Sequence, residues 1–227
     1  MTTYVTGDTH GNFNSVIDFC CKANTLKDDI LIILGDAGIN YYGGKKDRRL
    51  KKELPLTIFS LHGNHERRPE SIPTYCETEW QGGIVYAEPE FLSLLFAKDG
   101  EIYDLNNKKC LAVGGAYSVD KHYRLANNWS WWNDEQPSDE TKKRVEKQID
   151  ANKWRVDAVL SHTCPFSFLP TEMFIKEVDQ SAVDHSTEKW LQTIETRLTY
   201  TKWYCVHFHT DKIIDKIRFM FNNFIEL

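Results

Sequence analysis

The sequence has few of the features that mark secreted, membrane-spanning or disulfide-stabilised proteins. No apolar run approaches the roughly 18 residues that span a bilayer, and the opening MTTYVTGD enters a strand-like segment without a basic and apolar leader. The six cysteines are scattered and form no C-x-x-C pair, which argues against a disulfide framework and against a thiolate zinc site. We therefore expect a cytoplasmic protein with reduced thiols and no membrane partner.

The chain also lacks an excess of basic residues. Its net charge is −5, so no basic field over the whole molecule indicates nucleic acid, although a nucleic-acid substrate stays open. The local exception is KKDRRLKKE at 45–53, which we interpret as a solvated helical face, with a basic rim near an anionic substrate as the alternative. Repeats and linkers are absent, and 227 residues suffice for one α/β domain, so we predict a single domain over residues 1–227.

Apolar, β-branched runs alternate with amphipathic stretches along the chain. In the first third, strand-like runs at 3–8, 29–36 and 56–63 and a helical pattern at 14–24 predict βαβ units and a parallel sheet. The remaining predictions, in chain order, are short strands in 82–88 and 90–96, a hairpin pairing 102–105 with 109–113, a helix capped by Ser138, a buried strand at 156–163, a helix beginning at Ser186 or Thr187, and a closing pair of strands in 202–209 and 216–223.

Polar side chains follow five of the predicted strands, at the point where each strand ends. They are Asp8, His10, Asp36, Asn64, His65, His162, His207 and His209. The carboxyl ends of parallel strands meet in one crevice of an open α/β sheet, so we expect these side chains to converge. Without His65, the set offers two carboxylates, one amide and four imidazoles, which suits two borderline metal ions roughly 3.5–4 Å apart if one carboxylate bridges them.

These residues carry a resemblance to a known family. GDTHG (7–11), GD (35–36), GNHE (63–66), His162 in LSHT and HFH (207–209) stand in the order of the calcineurin-like metallophosphoesterases. The chain resembles that superfamily from residue 4 to residue 209, and within it the small bacterial and phage serine/threonine phosphatase-like phosphoesterases. The resemblance implies an α/β fold: a four-layer αββα sandwich of two mixed β-sheets flanked by helices, with the metal site at the carboxyl ends of strands.

The resemblance also implies a role for each of these side chains. The implied ligands are Asp8, His10 and His209 for the first divalent ion, Asn64, His162 and His207 for the second, and Asp36 as the bridge between them. Manganese is the expected metal, with iron, zinc, nickel or magnesium as alternatives. The implied catalytic residues are Asp36 and His65, and His65 would contact the phosphoryl oxygens and protonate the leaving oxygen.

The implied activity is hydrolysis of phosphoesters by metal-activated water, without a covalent enzyme intermediate. GNHE is more like the serine/threonine phosphatase branch than the nucleases, so the expected substrate is a phosphomonoester on a protein or a small molecule. One alternative is a phosphodiesterase that acts on cyclic nucleotides, dinucleotides or nucleic acid. An alternative from another class is a catalytically silent metal-binding scaffold, although such scaffolds tend to lose ligands that this chain retains.

Two departures from the family pattern affect the substrate side of the site. Relatives often carry an acid or an Asp-Arg pair shortly after the second motif, whereas this chain reads GDAGINYYGG, and Val206 stands where relatives usually have glycine. The candidate substrate contacts are Arg67, Arg68, Tyr117, Lys121 and Arg124, with Arg48 and Arg49 as further arginines.

Three other features have open interpretations. The loop 114–124, GGAYSVDKHYR, is a turn or a substrate clamp, and the tryptophan-rich 127–135 is a local core, a stacking platform or a partner patch. We expect His62 in the core or behind the metal ligands, and His122 and His185 on the surface.

Overall fold

The computed structural model describes residues 1–52 and 55–227. Its strands are, in chain order, β1 (Thr3–Thr6), β2 (Ile30–Ile33), β3 (Thr57–Ser60), β4 (Cys76–Trp80), β5 (Gly83–Ala87), β6 (Leu94–Ala97), β7 (Ile102–Leu105), β8 (Lys108–Val113), β9 (Ala158–Ser161), β10 (Lys202–Cys205), β11 (Lys212–Ile214), β12 (Ile217–Phe219) and β13 (Ile225–Glu226). The α-helices are α1 (Asn14–Ala23), α2 (Gly44–Lys52), α3 (Lys121–Ala126), α4 (Asp139–Ala151) and α5 (Ser186–Glu195).

The strands form two mixed sheets. The first sheet has the order β13-β1-β2-β3-β6-β5-β4, and its central strands β1, β2, β3 and β6 run parallel. The second has the order β11-β12-β10-β9-β8-β7, and β12, β10, β9 and β8 run parallel within it. Antiparallel strands close both sheets at their edges. The predicted pair of mixed sheets is confirmed.

Alternating side chains of the central strands build the four layers. Along β2, Ile30 and Ile32 belong to the cluster between the two sheets, whereas Leu31 and Ile33 pack with Val16 of α1 on the outer face. A strand that is covered on both faces is apolar throughout, as the ILII of β2 is. On the second sheet, α4 and α5 cover the outer face through a separate apolar cluster. The order helix, sheet, sheet, helix is the predicted αββα sandwich.

Local signals set several element boundaries as predicted. The Ser138 hydroxyl accepts the Thr141 N–H at 3.2 Å and caps α4, and α5 begins at Ser186. Asn106 and Asn107 both have positive φ in the two-residue turn between β7 and β8, the geometry that a tight hairpin requires. The strands β10 and β12 pair in parallel.

The strands that the sequence did not reveal all lie at sheet edges. β4 reads CETEW and is almost entirely exposed, β11 has three residues and β13 has two. Such strands form because a neighbouring strand offers free backbone groups, and they need no apolar alternation of their own. The strand expected in 90–96 begins only at Leu94, since Phe91 and Leu94 close turns with their backbone N–H groups.

The basic segment 45–53 lies largely in α2, while Glu53 is outside the described residues. Lys51 is buried and pairs with Glu88, and Arg48 pairs with Glu90 on the surface. None of the described residues of this segment lines the two pockets at the metal centre. The contacts agree with the helical-face interpretation, with Lys51 as a structural exception.

All six cysteines are free thiols, as predicted. Burial raises the pKa of Cys205 well above its ordinary value, as for a core thiol. Among residues 1–52 and 55–227, no helix combines the length and the hydropathy that a bilayer span requires.

Candidate metal centre

Two groups of parallel strands deliver the predicted ligands to one edge of the sandwich. In the first sheet β1, β2 and β3 are neighbours, and in the second β9 and β10 are neighbours. Each ends one to four residues before a predicted ligand. The structure brings all seven predicted ligands and His65 together, as the distances below show.

The first ligand group joins a buried carboxylate to two imidazoles. His209 Nε2 lies 3.2 Å from Asp8 Oδ2 and 3.3 Å from His10 Nε2. Both carboxylate oxygens of Asp8 are buried without a hydrogen-bond donor, which is costly unless a cation or a charged donor faces them. Asp8 also raises the pKa of His209 above its ordinary value. This group has the donor set of a divalent-cation site.

The second ligand group is built around the amide of Asn64. Its Oδ1 lies 2.8 Å from His162 Nε2 and 3.1 Å from His207 Nδ1. Its Nδ2 donates to the Ser118 hydroxyl at 2.9 Å, which fixes the amide with its oxygen toward the histidines. The pKa of His207 is well below its ordinary value, mainly because the ring is buried and to a smaller extent because His162 is nearby. The low pKa favours the neutral imidazole, which can bind a metal.

A backbone carbonyl orients His162 within this group. The Leu34 oxygen lies 3.0 Å from His162 Nδ1, so the ring in its metal-ligating tautomer donates there and keeps the lone pair of Nε2 free. That lone pair then faces the Asn64 oxygen at 2.8 Å. Two acceptors at this separation repel each other unless a cation lies between them, so the second group also fits a metal.

Asp36 lies between the two groups. Its Oδ1 accepts the His65 backbone N–H at 2.8 Å, and its Oδ2 lies 3.8 Å from His162 Nε2. Burial alone raises the pKa of Asp36, but the neighbouring imidazoles of His162, His65 and His10 outweigh it and hold the pKa below its ordinary value. A carboxylate that stays ionised between two ligand groups can bridge two cations.

Three overlapping sets of carboxylate and imidazole ligands result, each with its ligand atoms within 4.8 Å of one another. The sets are Asp8 with His10 and His209, His10 with Asp36 and His65, and Asp8 with Asp36 and His162. The second set includes His65, which the family resemblance assigns to the substrate instead of a metal. The described residues thus offer nitrogen and oxygen donors without thiolate, a set suited to several divalent metals.

Two glycines of the motifs leave room for this arrangement. A Cβ on Gly63 would lie 1.9 Å from Asp36 Oδ1, and a Cβ on Gly35 would lie 2.3 Å from His162 Nδ1. Gly35 also has a φ of +118°, which L side chains rarely adopt. The glycines of GD and GNHE therefore allow the ligand loops to approach each other closely.

The ligand loops carry left-handed backbone at four of the expected ligands. These residues are His10, Asp36, His207 and His209, with φ between 47° and 74°. Such conformations persist where the surrounding structure imposes them, and they cluster at functional sites. Val206, the departure from the family glycine, is buried in the core between the sheets, and the positive φ of +74° falls on His207 itself. His207 still reaches Asn64.

His65 stands beside the metal ligands with its ring half-buried. Its Nε2 lies 3.7 Å from Asp120 Oδ1, a carboxylate oxygen that is buried and has no hydrogen-bond donor. Burial lowers the pKa of His65, while the nearby Asp36 acts in the opposite direction. Asp120 follows β8 of the second sheet and places a carboxylate beside His65. In relatives an Asp-Arg pair often follows the second motif, and this chain lacks that pair.

Of the five predicted substrate contacts, the structure brings Tyr117 and Arg124 to pockets at this centre. Lys121 is the first residue of α3 and lines neither pocket, and its ammonium lies 4.0 Å from the centre of the Trp131 ring.

Arg67 and Arg68 have other partners. Arg67 donates to the backbone oxygen and the hydroxyl of Ser71, and the buried Arg68 forms an ion pair of 2.7 Å with Asp99. Neither lines the two pockets. The structure therefore brings neither of these two predicted substrate contacts to the pockets at the metal centre.

Sequence reasoning missed two residues that support the site. Ser118 holds the Asn64 amide, and Glu135 accepts the Ser118 backbone N–H at 3.1 Å and the Trp131 indole N–H at 2.7 Å. Ser118 lies inside GGAYSVDKHYR, whose polar groups were the available signal. Nothing in the sequence around Glu135 indicates that it would be buried.

The remaining histidines and the tryptophans divide between core and surface. His62 is buried and His122 is exposed, as expected. His185 is half-buried in a pocket wall beside Glu188, so the prediction that it is exposed is wrong. The local-core interpretation fails for Trp129, which is 53% exposed and lines a pocket.

Two pockets open from the metal centre and share three of its residues, His10, His65 and Asp120. The first has a volume of about 260 Å³ and continues over Tyr117 toward an apolar wall. The second has a volume of about 520 Å³ and contains Arg124. Together they provide room for a substrate beside the ligand groups.

The geometry agrees with a comparison against protein families. The family model for calcineurin-like phosphoesterases matches residues 1–222. The chain belongs to the calcineurin-like phosphoesterase family. It is therefore a phosphoester hydrolase, and the family implies divalent metal ions for the ligand groups described above.

More distant comparisons add no information about the substrate. A comparison with curated proteins gives no significant match. A phosphopantetheinyl hydrolase from Mycobacterium tuberculosis is 12% identical, with 97% of this chain and 88% of that chain covered and a TM-score of 0.40. A protein of unknown function from Aquifex aeolicus is 16% identical, with 71% of this chain and 80% of that chain covered and a TM-score of 0.34. At these scores neither structure bears on what this phosphoesterase hydrolyses.

Proposed function

We propose that this phosphoesterase hydrolyses phosphomonoesters with two divalent ions, manganese being the expected metal. The observation that carries the proposal is the pair of ligand groups joined by Asp36, which is next to both of them. Asp8, His10 and His209 would hold one ion, and Asn64, His162 and His207 the other, with Asp36 as bridge. When bound, divalent ions neutralise the charge of the ester and activate water for attack.

The chain's own residues would hold the substrate and supply the proton. His65 is 3.7 Å from Asp120, and that carboxylate can orient the imidazole toward the leaving oxygen. As imidazolium, His65 would donate its proton to that oxygen as the ester bond breaks. Within the described residues, the pockets contain no serine or cysteine paired with a base as an activated nucleophile, which favours direct attack by water.

Arg124 is the best candidate for the arginine that binds a phosphoryl oxygen. It lines the second pocket together with His10 and His65, and its Nη1 is buried without a hydrogen-bond partner. Its Nη2 donates to the Ser130 carbonyl, and its guanidinium lies near the rings of Tyr41 and Trp132. These contacts hold the side chain in position, and Nη1 keeps an unused donor in a guanidinium that lines the second pocket.

We expect hydrolysis of 4-nitrophenyl phosphate that depends on added manganese and is abolished by a chelator. For a monoesterase, 4-nitrophenyl phosphate should react faster than bis(4-nitrophenyl) phosphate at equal concentration. Steady-state rates on both esters measure the preference. A protein that binds manganese and hydrolyses neither ester would contradict the proposal and would support a silent scaffold.

A phosphodiesterase is the second candidate, and the two pockets favour it. A diester could extend one substituent into each pocket from a phosphate at the shared residues His10, His65 and Asp120. A higher kcat/KM for bis(4-nitrophenyl) phosphate than for the monoester would favour this alternative.

The Arg124→Lys variant tests the phosphate contact. A lost charged hydrogen bond is worth about 1.5–3 kcal/mol, so the inhibition constant of inorganic phosphate should rise roughly 10- to 100-fold. Lysine keeps the charge, but its single nitrogen cannot reach both the Ser130 carbonyl and a phosphoryl oxygen as the two terminal nitrogens of the guanidinium can. Arg67→Lys is the matched control, because Arg67 lies outside both pockets. Equal inhibition constants in folded Arg124→Lys and wild type would exclude the contact.

A further inference from the structure

The first pocket at the metal centre has an apolar far wall. Its volume of about 260 Å³ is close to the lower end of the range for small-molecule sites, roughly 300–1,000 Å³. The apolar wall residues are Met173, Phe174, Ile175, Val178, Val183 and Phe208. The near side of the pocket contains the ligands Asp36, Asn64 and His207. One cavity therefore joins a site for phosphate to an apolar surface.

Most of this wall belongs to a long irregular loop. Residues 162–185 connect β9 to α5 with only short 3-10 turns, at Phe166–Phe168, Thr171–Met173 and Gln180–Ala182. Irregular loops longer than about 12–15 residues in compact domains usually carry a function or are disordered. This loop packs against the fold through its own aromatic contacts, so a binding function is the better explanation.

Aromatic contacts connect the loop directly to the metal ligands. The Phe174 ring centre lies 6.4 Å from that of Phe208, and the Phe208 ring centre lies 5.0 Å from that of His207. His185 also stacks on Phe174, with ring centres 6.5 Å apart. The apolar wall therefore packs through Phe208 against the predicted ligand His207.

The wall leaves large apolar side chains open to solvent at the pocket mouth. Met173 is 41% exposed and Ile175 is 52% exposed. Exposed apolar groups gathered at one cavity mark a ligand site, because covering them removes apolar surface from water. Both side chains lie beside a polar site whose substrate must carry a substituent.

The charges in this pocket disfavour a second anionic group. Its lining includes the carboxylates of Asp120 and Glu188 but no lysine or arginine among the described residues. Glu188 accepts a hydrogen bond of 2.8 Å from the Thr163 hydroxyl and lies 3.6 Å from His185 Nδ1. A carboxylate or second phosphate placed here would lose water and meet like charge, whereas a neutral group would not.

We propose that the loop 162–185 forms a specificity pocket for a neutral, apolar alkyl or aryl substituent of the phosphoester. The proposal rests on the proposed phosphomonoesterase function and adds the class of substrate. The phosphoryl group would lie at the metal ligands, and the substituent would extend against Phe174 and Val178. Nucleotides with several phosphates and acidic phosphopeptides would be poor substrates.

Phosphonates, which are not hydrolysed, test the pocket separately from catalysis. Calorimetric titration of the manganese-loaded protein should show tighter binding along the series from methyl- to pentylphosphonate, about three- to fourfold per methylene until the pocket is full. Phenylphosphonate should bind at least about tenfold more tightly than 4-carboxyphenylphosphonate, whose added charge must enter the apolar wall. Equal affinities along the alkyl series, or no binding by any phosphonate, would overturn the proposal.

The Val178→Lys variant tests the loop itself. With a cation in the wall, the protein should bind phenylphosphonate more weakly and 4-carboxyphenylphosphonate more tightly. The ratio of their two affinities should therefore fall by roughly tenfold. Leu92→Lys is the matched control, because Leu92 is 75% exposed and lies outside both pockets. Thermal melting checks that both variants are folded. An unchanged preference in a folded Val178→Lys protein would overturn the assignment of the loop.

Hydrolysis rates separate this proposal from the function on which it rests. Phenyl phosphate should have a higher kcat/KM than 4-carboxyphenyl phosphate by at least about tenfold. Absence of turnover on every ester contradicts the proposed function, and the phosphonate affinities still test the pocket. Turnover of both esters at equal kcat/KM supports the function and overturns the specificity pocket.

Discussion

Replacing Asp36 with asparagine is expected to lower kcat by on the order of 10³-fold or more. Asp36 is the buried carboxylate next to both ligand groups, and an amide supplies neither its charge nor two equivalent oxygens for two cations. Metal ions contribute several kcal/mol of transition-state stabilisation in such sites, and each 1.36 kcal/mol is a factor of ten in rate. The measurement is kcat on 4-nitrophenyl phosphate at saturating manganese.

The bridging role predicts a second result that a general loss of activity would not give. Elemental analysis should find two metal ions in each wild-type chain and fewer in the Asp36→Asn variant. Asp104→Asn is the matched control, because it removes the same charge from an exposed position in β7, away from both pockets. Activity within tenfold of wild type, with two metal ions retained, would refute Asp36 as the bridge.

Replacing His65 with asparagine should lower kcat on phenyl phosphate by about 10²- to 10⁴-fold, the usual contribution of a positioned general acid. The loss should be much smaller on 2,4-dinitrophenyl phosphate, because its leaving phenolate is stable without a proton. The ratio of the two losses measures proton donation, whereas a distorted active site would slow both esters equally.

Metal content distinguishes this role from ligation. His65 belongs to one of the sets of side chains that can hold a cation, together with His10 and Asp36. A proton donor can be removed without loss of metal, so the variant should retain two metal ions per chain. His122→Asn is the control, since His122 is exposed and lines neither pocket. Metal loss with equal slowing of both esters would make His65 a ligand instead.

The convergence of the predicted ligands could be foreseen from the sequence because each of them follows a strand that hydrophobic patterning reveals. Asp8, Asp36 and Asn64 come after runs such as LIIL and LTIFSL, and the ends of neighbouring parallel strands must converge. The same patterning predicted the parallel strands of the first sheet and most strands of the second, whereas their arrangement as two mixed sheets was implied by the family resemblance. It failed for β4, β11 and β13, because an edge strand is determined by the partner it pairs with and not by its own side chains.

The substrate side could not be read in the same way. Five basic or aromatic residues near the motifs were equally plausible contacts, and only the course of the chain separates Arg124, at a pocket, from Arg68, buried against Asp99. His185 belongs to a pocket wall that no local pattern marks. Contacts between distant segments decide such positions, and these contacts leave no period in the sequence.

The sequence by itself determined most of the strands and the types of side chain that follow them, because strand periodicity and residue type are local properties, and the order of the motifs indicated the two-sheet sandwich through the family resemblance. The tertiary structure decided which groups surround that chemistry. It supplies Ser118 to hold the Asn64 amide, and Asp120 beside His65 where the family's Asp-Arg pair is missing. It also brings the apolar loop 162–185 to the metal centre. Side chains far apart in the chain meet there only after both sheets have packed face to face.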